Sequence, residues 1–212
     1  MNPQSANPEE GSKLHWLFLP GAERSDAKYD TILEETPNFV VLPTKGSIVR
    51  GWVLVVPKFP ISRMADVPES LRGELDEVVE ATLEKLEDRF GSAFSFEHGG
   101  FKGSQVSCGV DQAHLHIASL DFDLLKSAEA ASQGGWVEVN QSRALADGVV
   151  DQEYWFASSE KRTIYKPVDF PVSQFFRKIV ADHMHEREAW DYKAHDFLEN
   201  VDLTIRAFAA HG

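Results

Sequence analysis

Between Pro68 and Gly91 the apolar residues Leu71, Leu75, Val78, Val79, Leu83, Leu86 and Phe90 return at steps of three and four, the spacing of one face of an α-helix. Pro68 suits a first helical turn and Gly91 a C-cap. This is the longest regular pattern in the chain. Glu74, Glu77, Glu80, Glu84 and Lys85, interleaved with the apolar positions, read as a solvated face.

The sequence on either side of this helix is β-rich. Residues 38–43 and 52–57 are apolar runs separated by a loop with Gly46 and Ser47, the pattern of a hairpin. Residues 14–19 read as a short buried strand ended by the turn pair Pro20-Gly21. After the helix, residues 93–97 predict a strand. A loop with Gly99, Gly100, Gly103, Ser104, Ser107 and Gly109 leads to another strand at 113–118. Beyond Asp121 the pattern predicts a short helix, strands at 136–139, 154–156 and 163–165, and helices over 172–183 and 196–209. In the last helix Asp196 and Glu199 have capping-box spacing, and Phe197, Val201, Ile205 and Phe208 form its buried stripe. The expectation is an α+β fold: an antiparallel sheet with the long helix on one face and a site at strand ends. Residues 1–13 would be a flexible leader, 14–120 the core, and 121–212 a strand and helix extension packed on that core as one domain overall.

With 212 residues, 42% of them hydrophobic, the chain can bury a substantial core. Its net charge of −13, with no compensating basic cluster, argues against a nucleic-acid partner. A small phosphate ligand remains compatible, because backbone N–H groups bind it locally. The single cysteine, Cys108, excludes an intramolecular disulfide and a Cys-rich zinc site, which fits a reducing compartment. The polar start lacks the basic and apolar regions of a secretory signal, and no run of about 18 apolar residues occurs, so no membrane partner and a cytoplasmic location are expected.

In residues 111–117, Asp-Gln-Ala-His-Leu-His-Ile, the alternation of a strand would put Gln112, His114 and His116 on one face and Ala113, Leu115 and Ile117 on the other. One imidazole can attack phosphorus while the other and the amide donate hydrogen bonds. Two alternatives stand beside this. The pair can decorate a half-exposed strand, or it can bind zinc with Asp111, Cys108 or His98 as third ligand. No metal and no cofactor are expected. Elsewhere, His15 reads as a packed histidine, and Trp136, Trp155 and Trp190 as core. Lys58 and Arg177 could attract phosphate, with surface solvation the default reading for each singly.

Residues 107–117, Ser-Cys-Gly-Val-Asp-Gln-Ala-His-Leu-His-Ile, resemble the signature of the histidine triad (HIT) superfamily, His-x-His-x-His with apolar spacers after a Gly/Ser-containing turn. Residues 34–41 and 51–58 resemble the family's hairpin, and 96–99 the strand before its phosphate loop. Residues 173–177 with Trp190 and Asp191 resemble the C-terminal part of longer bacterial members. The resemblance implies a homodimer and a nucleotide hydrolase or nucleotidyl transferase acting on dinucleoside polyphosphates, phosphoramidates or nucleotide sugars. It implies His114 as nucleophile, His116 as donor to phosphate oxygens, and Gln112 at the first motif position. Ser107, the Gly109 amide and His98 would face phosphate, and Asn38 would lie near the nucleoside. Several positions depart from the family pattern. Gln112 replaces the first histidine, Trp52 and Pro60 stand where histidines often occur, and the 39–43 stretch lacks the acidic residue that many members use for ribose. Glutamine keeps hydrogen bonds but cannot be protonated. A nucleotide-binding sensor or partner protein with little turnover is therefore the alternative function.

Overall fold

The computed structural model describes residues 14–101, 112–139, 152–168 and 172–210. Among these residues eight strands form one antiparallel sheet: β1 (Glu34–Glu35), β2 (Phe39–Pro43), β3 (Trp52–Pro57), β4 (Ala93–Gly99), β5 (Leu115–Ser119), β6 (Val137–Val139), β7 (Tyr154–Ser158) and β8 (Thr163–Pro167). Their order is β1-β2-β3-β5-β4-β7-β8-β6, so β5 lies in the interior between β3 and β4. Among the described residues four α-helices accompany it: α1 (Arg72–Phe90), α2 (Leu124–Ala131), α3 (Phe175–His183) and α4 (Leu198–Ala209). The α+β fold with a long helix and a C-terminal elaboration is as expected.

Strand alternation sorts the core into two sides. Val53 and Val55 of β3 and Leu115 and Ile117 of β5 join Leu75, Val78 and Leu86 of α1 in one apolar cluster. The opposite face holds Trp52, Phe94, Phe96 and Ala118, which pack with α2, Trp155 and α3. Each fully buried Leu, Ile, Val or Phe contributes about 1.5–3 kcal/mol, so both faces are strongly specified. His116 lies between Leu115 and Ile117 and therefore projects away from α1, beside Trp52 and Phe96.

Helix α1 follows a single turn of 3-10 helix at Glu69–Leu71 and ends at Gly91, whose φ of +94° closes it with an N–H bond to the Glu87 carbonyl. One member of its polar face has another role than solvation. The Glu74 carboxylate accepts from the Thr36 hydroxyl (2.6 Å), the Asn38 backbone N–H (2.8 Å) and the Asn38 side-chain amide (2.7 Å). Burial works to raise its pKa, but these donors prevail and hold it below the usual carboxylate value.

Several sequence expectations are corrected. Residues 14–19 are not a strand: His15–Leu17 is a 3-10 turn. Leu14 packs with Val40, Leu42 and Val56, and a short apolar run satisfied by such packing reads the same as a strand. The helix predicted over 172–183 begins only at Phe175, because Gln174 adopts φ 60°, ψ 33°, outside the right-handed helical region. The helix predicted over 196–209 begins at Leu198. Its N-cap is Phe197 in a left-handed conformation with no side-chain cap, so Asp196 and Glu199 form no capping box. Strand β5 starts at Leu115, which leaves His114 just before it.

The C-terminal segment packs directly on the β2–β3 loop. The Arg177 guanidinium donates to the carbonyls of Gly46 and Trp190. A Cβ on Gly46, itself at φ +66°, would meet the Cβ of Tyr192 at 2.6 Å, so only glycine permits this approach. Asn200 of α4 donates to the carbonyls of Ser47 and Ile48. Among the described residues no helix is long and apolar enough to cross a membrane.

Candidate active site

The paired histidines open onto a cleft of about 650 Å³, its solvent mouth included. Leu14, Leu42 and Leu54 make its apolar end. Tyr29, Asp30 and Lys45 form a polar wall, and Gln174, Arg177 and Tyr192 reach in from the C-terminal segment. The size and the apolar lining with a few polar groups suit a small-molecule site.

The two rings stand nearly perpendicular, with centroids 5.0 Å apart. Their tautomers follow from their partners. His114 Nδ1 lies 2.8 Å from the backbone carbonyl oxygen of Gln112. A carbonyl only accepts, so Nδ1 carries the proton and Nε2 presents a lone pair. His116 Nδ1 receives the indole N–H of Trp52 at 3.0 Å. An indole only donates, so here Nδ1 has the lone pair and Nε2 carries the proton. One imidazole thus offers a nucleophilic nitrogen and its neighbour a hydrogen-bond donor. Burial lowers the pKa of both, opposed at His114 by the Gln112 bond and reinforced at His116 by the charges of His114, Arg177 and His98. Both are neutral near pH 7.

The His116 ring stacks on Phe96 with centroids 5.0 Å apart and an interplanar angle of 11°, and its edge meets Trp52. The replacement noted at Trp52 therefore holds the second histidine in place. Arg177 lies over the Trp52 ring at 4.9 Å and is 4% exposed. It is a buried cation at the cleft and not the surface residue the sequence suggested.

The other predicted residues are placed as follows. The Gln112 side chain does not join the histidines: its amide donates to the carbonyls of Pro57 (3.1 Å) and Phe59 (2.9 Å). His98 lies on β4, where burial and then the charge of His114 lower its pKa to about 4, and its Nε2 accepts from Trp155. Asn38 does not line the cleft and is bound to Glu74. Ser107, Gly109, Cys108 and Asp111 lie outside the described residues. Among the described residues no group of three His, Cys, Asp or Glu side chains is arranged to hold a metal. The sequence reading missed Tyr29, Asp30, Lys45, Gln174 and Tyr192, which come from three separated segments and carry no local motif. Asp30 is 8% exposed and takes a hydrogen bond from Ser25, so a carboxylate reaches the cleft from a turn instead of from β2.

Residues 25–123 match the family model described as the HIT domain. This stretch is similar to the HIT domain. It contains β1–β5 and α1, and therefore both histidines, while Gln174, Arg177 and Tyr192 lie beyond it. Among solved structures, a hypothetical histidine triad nucleotide-binding protein from Sulfolobus tokodaii strain7 is 22% identical with a TM-score of 0.36. The match covers 43% of this chain and 62% of that one, so the chain spans less than two thirds of that protein's length. No curated protein matches the chain.

Proposed function

We propose that the HIT-like domain binds a nucleotide and acts as a nucleotide hydrolase or nucleotidyl transferase through an intermediate on His114. The observation that carries this reading is the opposite tautomers of the two histidines. The Nε2 lone pair of His114 attacks the α-phosphorus, the bond to the leaving group breaks, and its electron pair departs with that group, which takes a proton from solvent. The Gln112 carbonyl holds the Nδ1 proton of the resulting imidazolium, and the Nε2–H of His116 donates to a phosphate oxygen. Lys45 and Arg177 supply positive charge, Leu14, Leu42 and Leu54 suit a base, and Asp30 is the cleft's candidate acceptor for a ribose hydroxyl. Substrates of dinucleoside polyphosphate or phosphoramidate type, a cytoplasmic setting and a homodimer belong to the same reading.

The test is mass spectrometry after brief mixing with dinucleoside polyphosphates and nucleoside phosphoramidates. An acid-labile adduct of nucleotide mass on the wild type, absent from His114→Ala, supports the proposal. Saturable nucleotide binding with neither adduct nor turnover supports the alternative, a nucleotide-binding sensor or partner protein. What favours that alternative is Gln112, whose amide is held by two backbone carbonyls and leaves the motif with two groups at the cleft.

A further inference from the structure

Beside the cleft, and sharing His116, Gln174 and Arg177 with it, lies a smaller crevice of about 230 Å³, opening included, lined also by Phe96, His98, Phe175 and Phe176. Two of these residues contribute buried polar atoms that have no hydrogen-bond partner among the described residues, Gln174 Oε1 and His98 Nδ1. Their roles are complementary. His98 Nε2 receives the indole N–H of Trp155 at 3.2 Å, so its proton is on Nδ1 and that atom is a donor. Gln174 Oε1 is an acceptor. Gln174 is 6% exposed and stands at φ 60°, a conformation few non-glycine residues adopt. Buried polar groups are almost always satisfied, and an orphan donor and an orphan acceptor on one small crevice together fit a ligand that both gives and takes a hydrogen bond.

We infer that this crevice is the acceptor subsite of the histidine pair, where Gln174 and His98 hold the water that releases the nucleotide from His114. The assignment rests on the nucleophilic role proposed for that residue. Among hydroxyl acceptors the crevice suits the smallest, which makes hydrolysis the outcome over transfer to a bulky alcohol. In the step, the water oxygen bonds to phosphorus as the phosphorus–Nε2 bond breaks. The bonding pair returns to Nε2, and the water proton passes to that nitrogen and then to solvent, leaving nucleoside monophosphate and neutral His114. Gln174 and His98 take no proton. They are positioning groups that fix the direction of the water's lone pair. Neither was legible as such, because the two lie 76 residues apart and Gln174 belongs to a segment outside the HIT-like stretch.

Rapid quench with a dinucleoside polyphosphate measures formation and decay of the His114 adduct separately. In Gln174→Met, which keeps the length and removes the acceptor, decay should slow about tenfold or more, so that adduct accumulates in the steady state. Gln174→Glu, which keeps an acceptor oxygen, should restore decay to within about threefold of wild type. If adduct forms and decays in Gln174→Met at wild-type rates, the crevice is not the acceptor subsite. If adduct formation and decay slow equally in both variants, the residue only supports the cleft and the assignment is likewise overturned. An absence of adduct on the wild type overturns the nucleophile first and this inference with it.

Discussion

The indole N–H of Trp52 donates to Nδ1 of His116 across 3.0 Å, and this bond decides which nitrogen of that imidazole faces the cleft with a proton. Trp52→Phe keeps an aromatic ring against Phe96 but frees the tautomer. Adduct formation should fall about tenfold, equivalent to about 1.4 kcal/mol of transition-state stabilisation. Nitrogen NMR of His116 should change from a single tautomer to a mixture. An unchanged nitrogen spectrum would show that the indole does not set the tautomer.

The pH dependence of adduct formation follows from burial. Protonation of His114 occupies the Nε2 lone pair, and burial lowers its pKa from the ordinary 6.5. The acid limb of the rate should therefore have its midpoint below 6.5. An acid limb with its midpoint at or above 6.5 would contradict the buried, neutral nucleophile.

The elements legible in sequence were those whose pattern is local and periodic: α1, the β2–β3 hairpin and the apolar alternation around His116. Residues 14–19 and the start of α4 were misread because a short apolar run or a capping-box spacing fits more than one backbone path. Glu74 looked like one more solvated charge, although its three donors come from residues 36 and 38. Likewise the cleft is assembled from β5, a turn at Lys28–Asp30 and the segment around Gln174 and Tyr192, and no spacing within one segment encodes that meeting. The tautomers were out of reach for the same reason, since Trp52 and His116 are brought together only by the register of β3 with β5.

Gln112 is 2% exposed and donates from one amide nitrogen to the carbonyls of Pro57 and Phe59, which fastens the approach to β5 onto the end of β3. Gln112→Glu would replace that donor with a carboxylate facing two carbonyl oxygens. The expected loss is about 2–4 kcal/mol at pH 8, measured by urea unfolding, and smaller at pH 5, where a protonated acid can donate one bond. Gln112→His, which puts an imidazole at the first position of the His-x-His-x-His pattern, should raise turnover if the missing imidazole is what limits the site. A stable histidine variant with unchanged turnover would favour the binding function or a chemistry adapted to glutamine.

Glu97 supplies the other pH-sensitive group in the core. It is 1% exposed, accepts from the Tyr154 hydroxyl at 2.5 Å and from the Met64 N–H at 2.8 Å, and has its pKa pushed up from 4.5 to about 7. Burial is the largest cause, and the two hydrogen bonds only moderate it. Because the folded carboxyl holds its proton more tightly than the unfolded one, its contribution is complete below pH 4.5. It is lost as pH rises through about 7. The lowered histidines His98, His114 and His116 act in the opposite sense, favouring the fold above 6.5 and weakening it as pH falls. Glu97→Gln removes only the first effect. Relative to wild type, the variant should gain on the order of 2–3 kcal/mol between pH 4.5 and 8, at about 1.4 kcal/mol per pKa unit. Urea unfolding of both proteins at pH 5, 6, 7 and 8 gives this difference directly. A difference that stays constant across the series would mean that Glu97 titrates alike in the folded and unfolded chains.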